Sequence, residues 1–343
     1  MSLVLIEGWD SLSAADDVYT TLPAPTLDST TKRTGSQSLK CTSQSIGCIL
    51  PMPSNQDTYI LGAAMWIESG ATLTTNKSYQ QIMFLGDGLY NCAISMGGGI
   101  IAVYRDTVQL GVSLAASFPE GEWFYLEVKA TCKNSISTND FIVRVNGAEV
   151  INLAATTDTQ YSANQGISHI EIKGPYFNKT SYYDDLYVCD LLGGVNDDFL
   201  GDVKVETLYP SEDGNANEFV GSDSNSVDNY LLVDEAQQDG DTSYTQSDTP
   251  TELDLYTFGD LAGSPSTIHG VSTRSYLKKT EAGARTGKLQ CRSGSTNYEG
   301  SEIFPGYSGY HGYDKIWEVD PDTAVAWIAA GVNGAEFGIK VHS

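Results

Sequence analysis

The 343 residues carry 19 Lys and Arg against 44 Asp and Glu, a formal charge of −25. Such a chain repels polyanions instead of releasing their counterions, which argues against nucleic acid or an anionic membrane surface as a partner. With 41% hydrophobic residues and 10% aromatics it can offset the entropy of ordering, and its length suits two cores better than one.

The opening "MSLVLIEGWD" has no basic n-region and no long apolar run. It is expected to be a first strand rather than a secretory signal, in a protein made and folded in a cytoplasm. No stretch approaches the roughly 20 apolar residues that span a bilayer. Helical spacing is nearly absent, while period-two alternation recurs. It predicts strands at Val4–Gly8, Gln37–Thr42, Thr58–Ile67, Gln80–Leu85, Cys92–Ser95 and Ile100–Tyr104. In "WFYLEVKATCK", Phe124, Leu126, Val128, Ala130 and Cys132 alternate with Glu127 and Lys129, which predicts a half-buried strand with both charges outward. In "FIVRVNGAEVINL", Asn146-Gly147 supplies the two positive-φ residues of a type I′ turn. That turn sets Val145 against Ala148, Arg144 against Glu149, Val143 against Val150 and Ile142 against Ile151. Strands at Ser168–Lys173 and Tyr182–Cys189 complete the first set. Many short strands between Gly, Asn and Ser turns predict an all-β sandwich.

Composition changes after Asp190. "LLGGVNDD" suits a crossing loop, and Pro210 to Pro250 is poor in aliphatics and reads as an extended acidic surface segment. Strands return at Leu253–Phe258, Ile268–Leu277, Gly287–Cys291 and Glu336–His342. The expected division is a sandwich over 1–194, an acidic junction over 195–252 and a second β-rich, sandwich-like domain over 253–343.

The order "GSQSLKC", "ILGAAMWIES", "GEWFYLEVKATC", "FIVRVNGAEVI", "YYDDLYVCD" resembles the concanavalin A-like, laminin-G-type jelly roll over roughly residues 1–190. The residues that carry the likeness are Trp66, Trp123, Asn146-Gly147 and Asp184-Asp185. The segment "DDLYVCDLLGGVNDDFLGDVKVETLYPSEDG" and the ending "VDPDTAVAWIAAGVNGAEFGIKV" are similar to virion structural proteins of tailed bacteriophages. That resemblance implies a phage appendage or decoration protein, without a catalytic residue set.

The acidic run from Tyr182 to Pro210 invites a catalytic or metal reading. Leu186 and Val188 are expected to point into the sandwich, with Asp184 at the strand's mouth accepting backbone hydrogen bonds from a neighbouring loop. Asp197 and Asp198 suit turns, and Val203 and Val205 are expected to begin the next strand. Asp184, Asp185, Asp197 and Asp198 thus read as a structural junction. The nearest approaches to a glycosidase carboxylate set are Glu252 with Asp254 and Glu318 with Asp320; both lack the third acid. Asp223, Asn225, Asp228 and Asp234 offer oxygens for a weak Ca²⁺ but no turn glycine, so no metal site or cofactor is assigned. Six cysteines form no C-x-x-C pair; most are expected to be buried thiols, with Cys41 and Cys48 a candidate disulfide across a short hairpin. His169, His269, His311 and His342 are scattered, and no nucleophile motif occurs.

In "FPGYSGYHGYDKIW", glycines separate Tyr307, Tyr310 and Tyr313. They could form an exposed platform for a sugar or partner, or pack on the second domain. Packing is favoured, since tyrosine is commonly half-buried with a wet hydroxyl.

The leading expectation is a non-enzymatic virion protein, tail- or fibre-associated or capsid-decorating, homo-oligomeric and bound to other virion proteins. The alternative is an adhesin for host-surface polysaccharide, and the third reading, a glycoside hydrolase, lacks its carboxylates.

Overall fold

The computed structural model describes residues 2–86, 89–133, 141–153, 157–161 and 166–343. They form two compact units, Met1–Asp10 with Ala14–Val205 and Ser11–Ser13 with Glu206–Ser343. The division falls after Val205 rather than after residue 194.

The first unit is all β. Its strands are β1 (Leu3–Glu7), β2 (Thr20–Thr21), β3 (Thr26–Asp28), β4 (Ser38–Cys41), β5 (Gly47–Gln56), β6 (Thr58–Ile67), β7 (Ile82–Gly86) and β8 (Leu89–Gly97). There follow β9 (Ile100–Arg105), β10 (Val108–Val112), β11 (Trp123–Thr131), β12 (Phe141–Val145), β13 (Ala148–Leu153), β14 (Ile167–Lys173) and β15 (Ser181–Cys189). One sheet runs β13-β12-β11-β6-β15-β4-β3, with β1 also on β15, and the other runs β10-β9-β8-β7-β14-β5-β2. This is a jelly-roll sandwich of the concanavalin A-like kind.

Apolar alternation on the facing sheets makes the core. Phe84 of β7 meets Phe141 of β12 edge-on, ring centroids 6.1 Å apart. Central β6 is buried on nearly every residue. Its Gly62 leaves room for the Tyr187 ring, since a Cβ there would lie 2.0 Å from Tyr187 Cε1.

Four features depart from expectation in this unit. In the Asn146-Gly147 hairpin the first two pairs hold, but a bulge at Val150 sets Val143 against Ile151 and Phe141 against Leu153. The extra residue turns Leu153, rather than Asn152, to the face of buried Phe141. Glu127 is 1% exposed, not outward. Residues 47–56 form β5 despite Pro51 and Pro53; β2 pairs only with Cys48 and Ile49, so the prolines fall where that side of β5 needs no donor. Cys41 and Cys48 lie on different sheets rather than across one hairpin, and the six cysteines are buried thiols.

The second unit holds β16 (Pro210–Asn217), β17 (Val220–Gly221), β18 (Thr245–Gln246), β19 (Leu253–Phe258), β20 (Val271–Leu277), β21 (Gly287–Ser293), β22 (Thr296–Ile303), β23 (His311–Trp317) and β24 (Glu336–Val341). A five-stranded sheet runs β16-β19-β24-β21-β22, while β17-β18 and β20-β23 pair separately. A short helix α1 (Ala329–Asn333) precedes β24. The core gathers Trp317, Trp327, Val332, Ala335, Phe337 and Cys291. Trp327 Nε1 donates to the Trp317 carbonyl at 2.8 Å, and Trp317 Nε1 to Thr273 Oγ1 at 3.0 Å, so both indoles are buried with partners.

The segment expected to be extended and acidic is folded into this unit. Its first part is edge strand β16, whose polar residues are tolerated because one side faces water. Val203 and Val205 begin no strand; the next one starts at Pro210. Tyr313 lies on β23 opposite Ser275, not in a loop.

Candidate functional site

Asp184 and Asp185 sit on β15 where its register against β6 slips, and Asp185 has φ +49°. Both are fully buried. Asp184 Oδ2 accepts the backbone N–H groups of Arg33 (2.8 Å) and Thr34 (3.1 Å), the neighbouring-loop contact expected of it. Asp185 Oδ2 pairs with Arg33 Nη1 at 2.8 Å, and its Oδ1 accepts from Thr34 Oγ1 (2.6 Å) and Val205 N (2.8 Å). Arg33 also binds the Val203 carbonyl and the Asp202 carboxylate, and lies 5.4 Å from the Tyr125 ring centroid. Burial, with the Asp185 charge beside it, pushes the Asp184 carboxyl up to about 7. Burial also raises Asp185, against the pull of Thr34, Val205 and Arg33.

Glu127 extends this network. Its Oε1 accepts Tyr187 Oη (2.6 Å) and Gly201 N (2.8 Å), while Tyr187 Oη accepts Leu200 N at 3.0 Å. Residues 200–205 are therefore strapped to the sheet by Tyr187, Glu127, Arg33 and Asp185. Both oxygens of Asp184 and both of Asp185 thus accept structural donors, Asp184 Oδ1 taking Asp185 N at 2.9 Å, and the cluster is a clamp. Asp197 and Asp198 are exposed beside it; Asp198 Oδ1 accepts only its neighbour Phe199 N, at 2.9 Å.

The second unit's acids are also engaged. Asp254, fully buried, accepts Glu218 N and Phe219 N (2.7 Å each), Asn229 Nδ2 (2.8 Å) and Tyr256 Oη (3.0 Å). Asp320 accepts Ser293 Oγ (2.6 Å), Asp322 N and Thr323 Oγ1. Burial opposes its ionisation, but these donors hold its carboxyl below the ordinary value. In the loop considered for Ca²⁺, Asp223 turns both oxygens onto Asn225 (3.2 and 2.6 Å). Among the described residues no three His, Cys, Asp or Glu side chains are grouped to hold a metal.

The three tyrosines do not form one platform. Tyr310 donates to Asp241 (3.1 Å) with Lys278 Nζ 4.7 Å from its ring centroid, and Tyr313 donates to the Phe304 carbonyl (3.4 Å). Tyr307 alone of the three is strongly exposed, at 66%.

A different aromatic group stands at one end of the first sandwich. Tyr176 stacks on Tyr79, centroids 5.6 Å apart and planes 18° apart, and meets Phe177 at 4.4 Å. Phe177 is 63% exposed although apolar, and both it and Asn178 hold positive φ, +64° and +53°. Such backbone is costly for an aromatic residue and persists only where surroundings impose it. Here they do: Asn178 N donates to Gln44 Oε1 (3.2 Å), Lys179 pairs with Glu68 (2.9 Å), and Thr180 N donates to Glu68 (3.0 Å). On the far side, the turn Lys77–Tyr79 is tied down by Lys173 Nζ bonding the Ser78 carbonyl (3.0 Å). Sequence reasoning missed this shelf because Tyr79 and "YFN" lie nearly a hundred residues apart. The available signal was an aromatic pair followed by Asn in a turn.

No known family matches the chain, and no curated protein does. Among solved structures, it is similar to a sialidase (9% identity, TM-score 0.39, covering 54% of this chain and 18% of that one). It is similar to an alginate lyase (11%, TM-score 0.32, 51% and 84%) and to a galectin of Caenorhabditis elegans (12%, TM-score 0.29, 43% and 94%). The chain thus spans under a fifth of the sialidase's length. At these values the likenesses carry no argument about activity, and the fold rests on the strand order above.

Proposed function

We propose that this is a non-enzymatic structural protein of a tailed-bacteriophage particle, tail-associated or capsid-decorating, whose first sandwich meets polysaccharide at a host surface. The observation that supports a glycan contact is the Tyr79–Tyr176–Phe177 cluster: an exposed Phe177 ring tilted 46° to that of Tyr176, which stacks on Tyr79, beside Gln44, Lys179 and Glu68 on loops of the first sandwich. A pyranose ring presents C–H groups to an aromatic face and hydroxyls to the polar rim, and this shelf offers both surfaces. The non-enzymatic reading is supported by the clamp, in which the candidate carboxylates are spent on backbone and side-chain donors. The particle reading rests on the resemblance carried by residues 184–214 and 319–341, and low Lys and Arg content suits a surface crowded with copies of itself.

Mass spectrometry of purified particles that encode this chain tests the particle reading. The chain is expected in the particles, in many copies if it decorates the head and few if it sits on the tail; its absence overturns the reading. The glycan reading is tested separately, by titrating host envelope polysaccharide against wild type and Phe177→Ala. Replacement should weaken saturable binding about tenfold, the equivalent of ~1.4 kcal/mol. Equal affinities would contradict it.

A further inference from the structure

The geometry points to Cys92 and Cys132 as the site of a disulfide that staples the two sheets of the first unit to each other. Cys92 lies on β8 of the seven-stranded sheet; Cys132 follows β11 of the eight-stranded sheet. Forty residues separate them, yet their sulfurs stand 2.9 Å apart. That is well inside ordinary contact between two unbonded sulfurs and within a small adjustment of the ~2.05 Å bond.

The backbone holds the pair in place. Gly166 N donates to the Cys132 carbonyl (3.1 Å), and the Gly166 carbonyl accepts Asn91 Nδ2, the neighbour of Cys92 (2.8 Å). Cys132 N in turn donates to the Asp57 carbonyl (2.8 Å). One glycine is thus tied to both cysteine-bearing segments, and it cannot be exchanged freely, since its φ is +82° and an added Cβ would lie 2.3 Å from Asn55 Oδ1. Both thiols are sealed from water, at 2% and 0% exposure. Burial, then the neighbouring Cys132 sulfur, raises the Cys92 thiol well above its ordinary value. Burial keeps small oxidants from both sulfurs in the closed fold, so exchange proceeds on opening or during folding.

The chemistry balances with a small-molecule disulfide as oxidant. A Cys92 thiolate attacks one sulfur of R–S–S–R and expels RS⁻, leaving a mixed disulfide. The Cys132 thiolate then attacks the Cys92 sulfur and expels the second RS⁻. The protein loses two electrons and two protons, and the oxidant becomes two RSH. Once formed, the bond shortens the unfolded chain's freedom over a forty-residue loop.

The whole chain, produced reduced, is incubated with oxidised glutathione both folded, over a range of temperatures, and during refolding from urea. Intact mass, peptide mapping after alkylation and thermal melting are then read. The expected product has lost two hydrogens, carries a Cys92–Cys132 peptide pair, and melts roughly 10 °C higher than the reduced chain. Cys41→Ala should behave as wild type, while Cys132→Ser should gain neither the bridge nor the shift. Wild type needs no variant to decide the matter. If Cys92 and Cys132 both remain alkylatable after every oxidant treatment, or if a bridge forms through other cysteines, the assignment is overturned.

Discussion

Asp184 is a carboxyl that the fold keeps out of water and surrounds with backbone donors. Its folded value, about 7, lies above the ordinary 3.8, so folding favours the protonated form. Its contribution to stability is therefore fully present below about pH 4 and lost as pH rises through about 7. Asp184→Asn keeps an oxygen for Arg33 N and Thr34 N but cannot titrate. Melting curves from pH 4 to 8 should show wild type losing stability relative to this variant as pH rises; parallel profiles would contradict the assignment. Gly35 is a second residue-scale test. Its φ is +57°, and a Cβ there would lie 2.0 Å from Asp10 Oδ2, whose partner oxygen accepts Ser36 N (2.5 Å) and Gln37 N (3.1 Å). Gly35→Ala should cost about 3 kcal/mol by urea denaturation, combining backbone strain with displacement of a buried carboxylate.

At the scale of elements, the strap over residues 200–205 depends on Arg33. Arg33→Ala leaves Asp185 buried without its cation, a loss of about 3 kcal/mol, and frees the Val203 carbonyl. Amide hydrogen exchange should quicken at Leu200, Gly201 and Val205 well before it changes in β6. Element existence was legible wherever apolar alternation was strong: β6 and β19 were expected with the bounds they have, Thr58–Ile67 and Leu253–Phe258. The backbone contact of Asp184 with a neighbouring loop was legible, but not its place: it is buried in the middle of β15 rather than at the strand's mouth, because the register slip before Tyr187 breaks the parity with Leu186 and Val188. What stayed hidden was whatever depends on a distant partner. The bulge at Val150 answers to Phe141 across the ladder, and Glu127 is buried because Tyr187 and Gly201 cover it. Strand β16 has no apolar pattern because it is an edge, and the aromatic shelf joins segments that local patterns cannot connect.

At the scale of the molecule there are two β units with separate cores, and Asp184, Asp185, Asp254 and Asp320 are closed into structural hydrogen-bond networks. On the proposed reading, recognition falls to the Tyr79–Tyr176–Phe177 cluster of the first unit. The most direct test is a calorimetric titration of host envelope polysaccharide into the intact chain, with polymer length followed in the same sample. The account predicts saturable heat that Phe177→Ala diminishes about tenfold in affinity, with polymer length unchanged. Absence of binding, or a polymer that shortens with time, would contradict it.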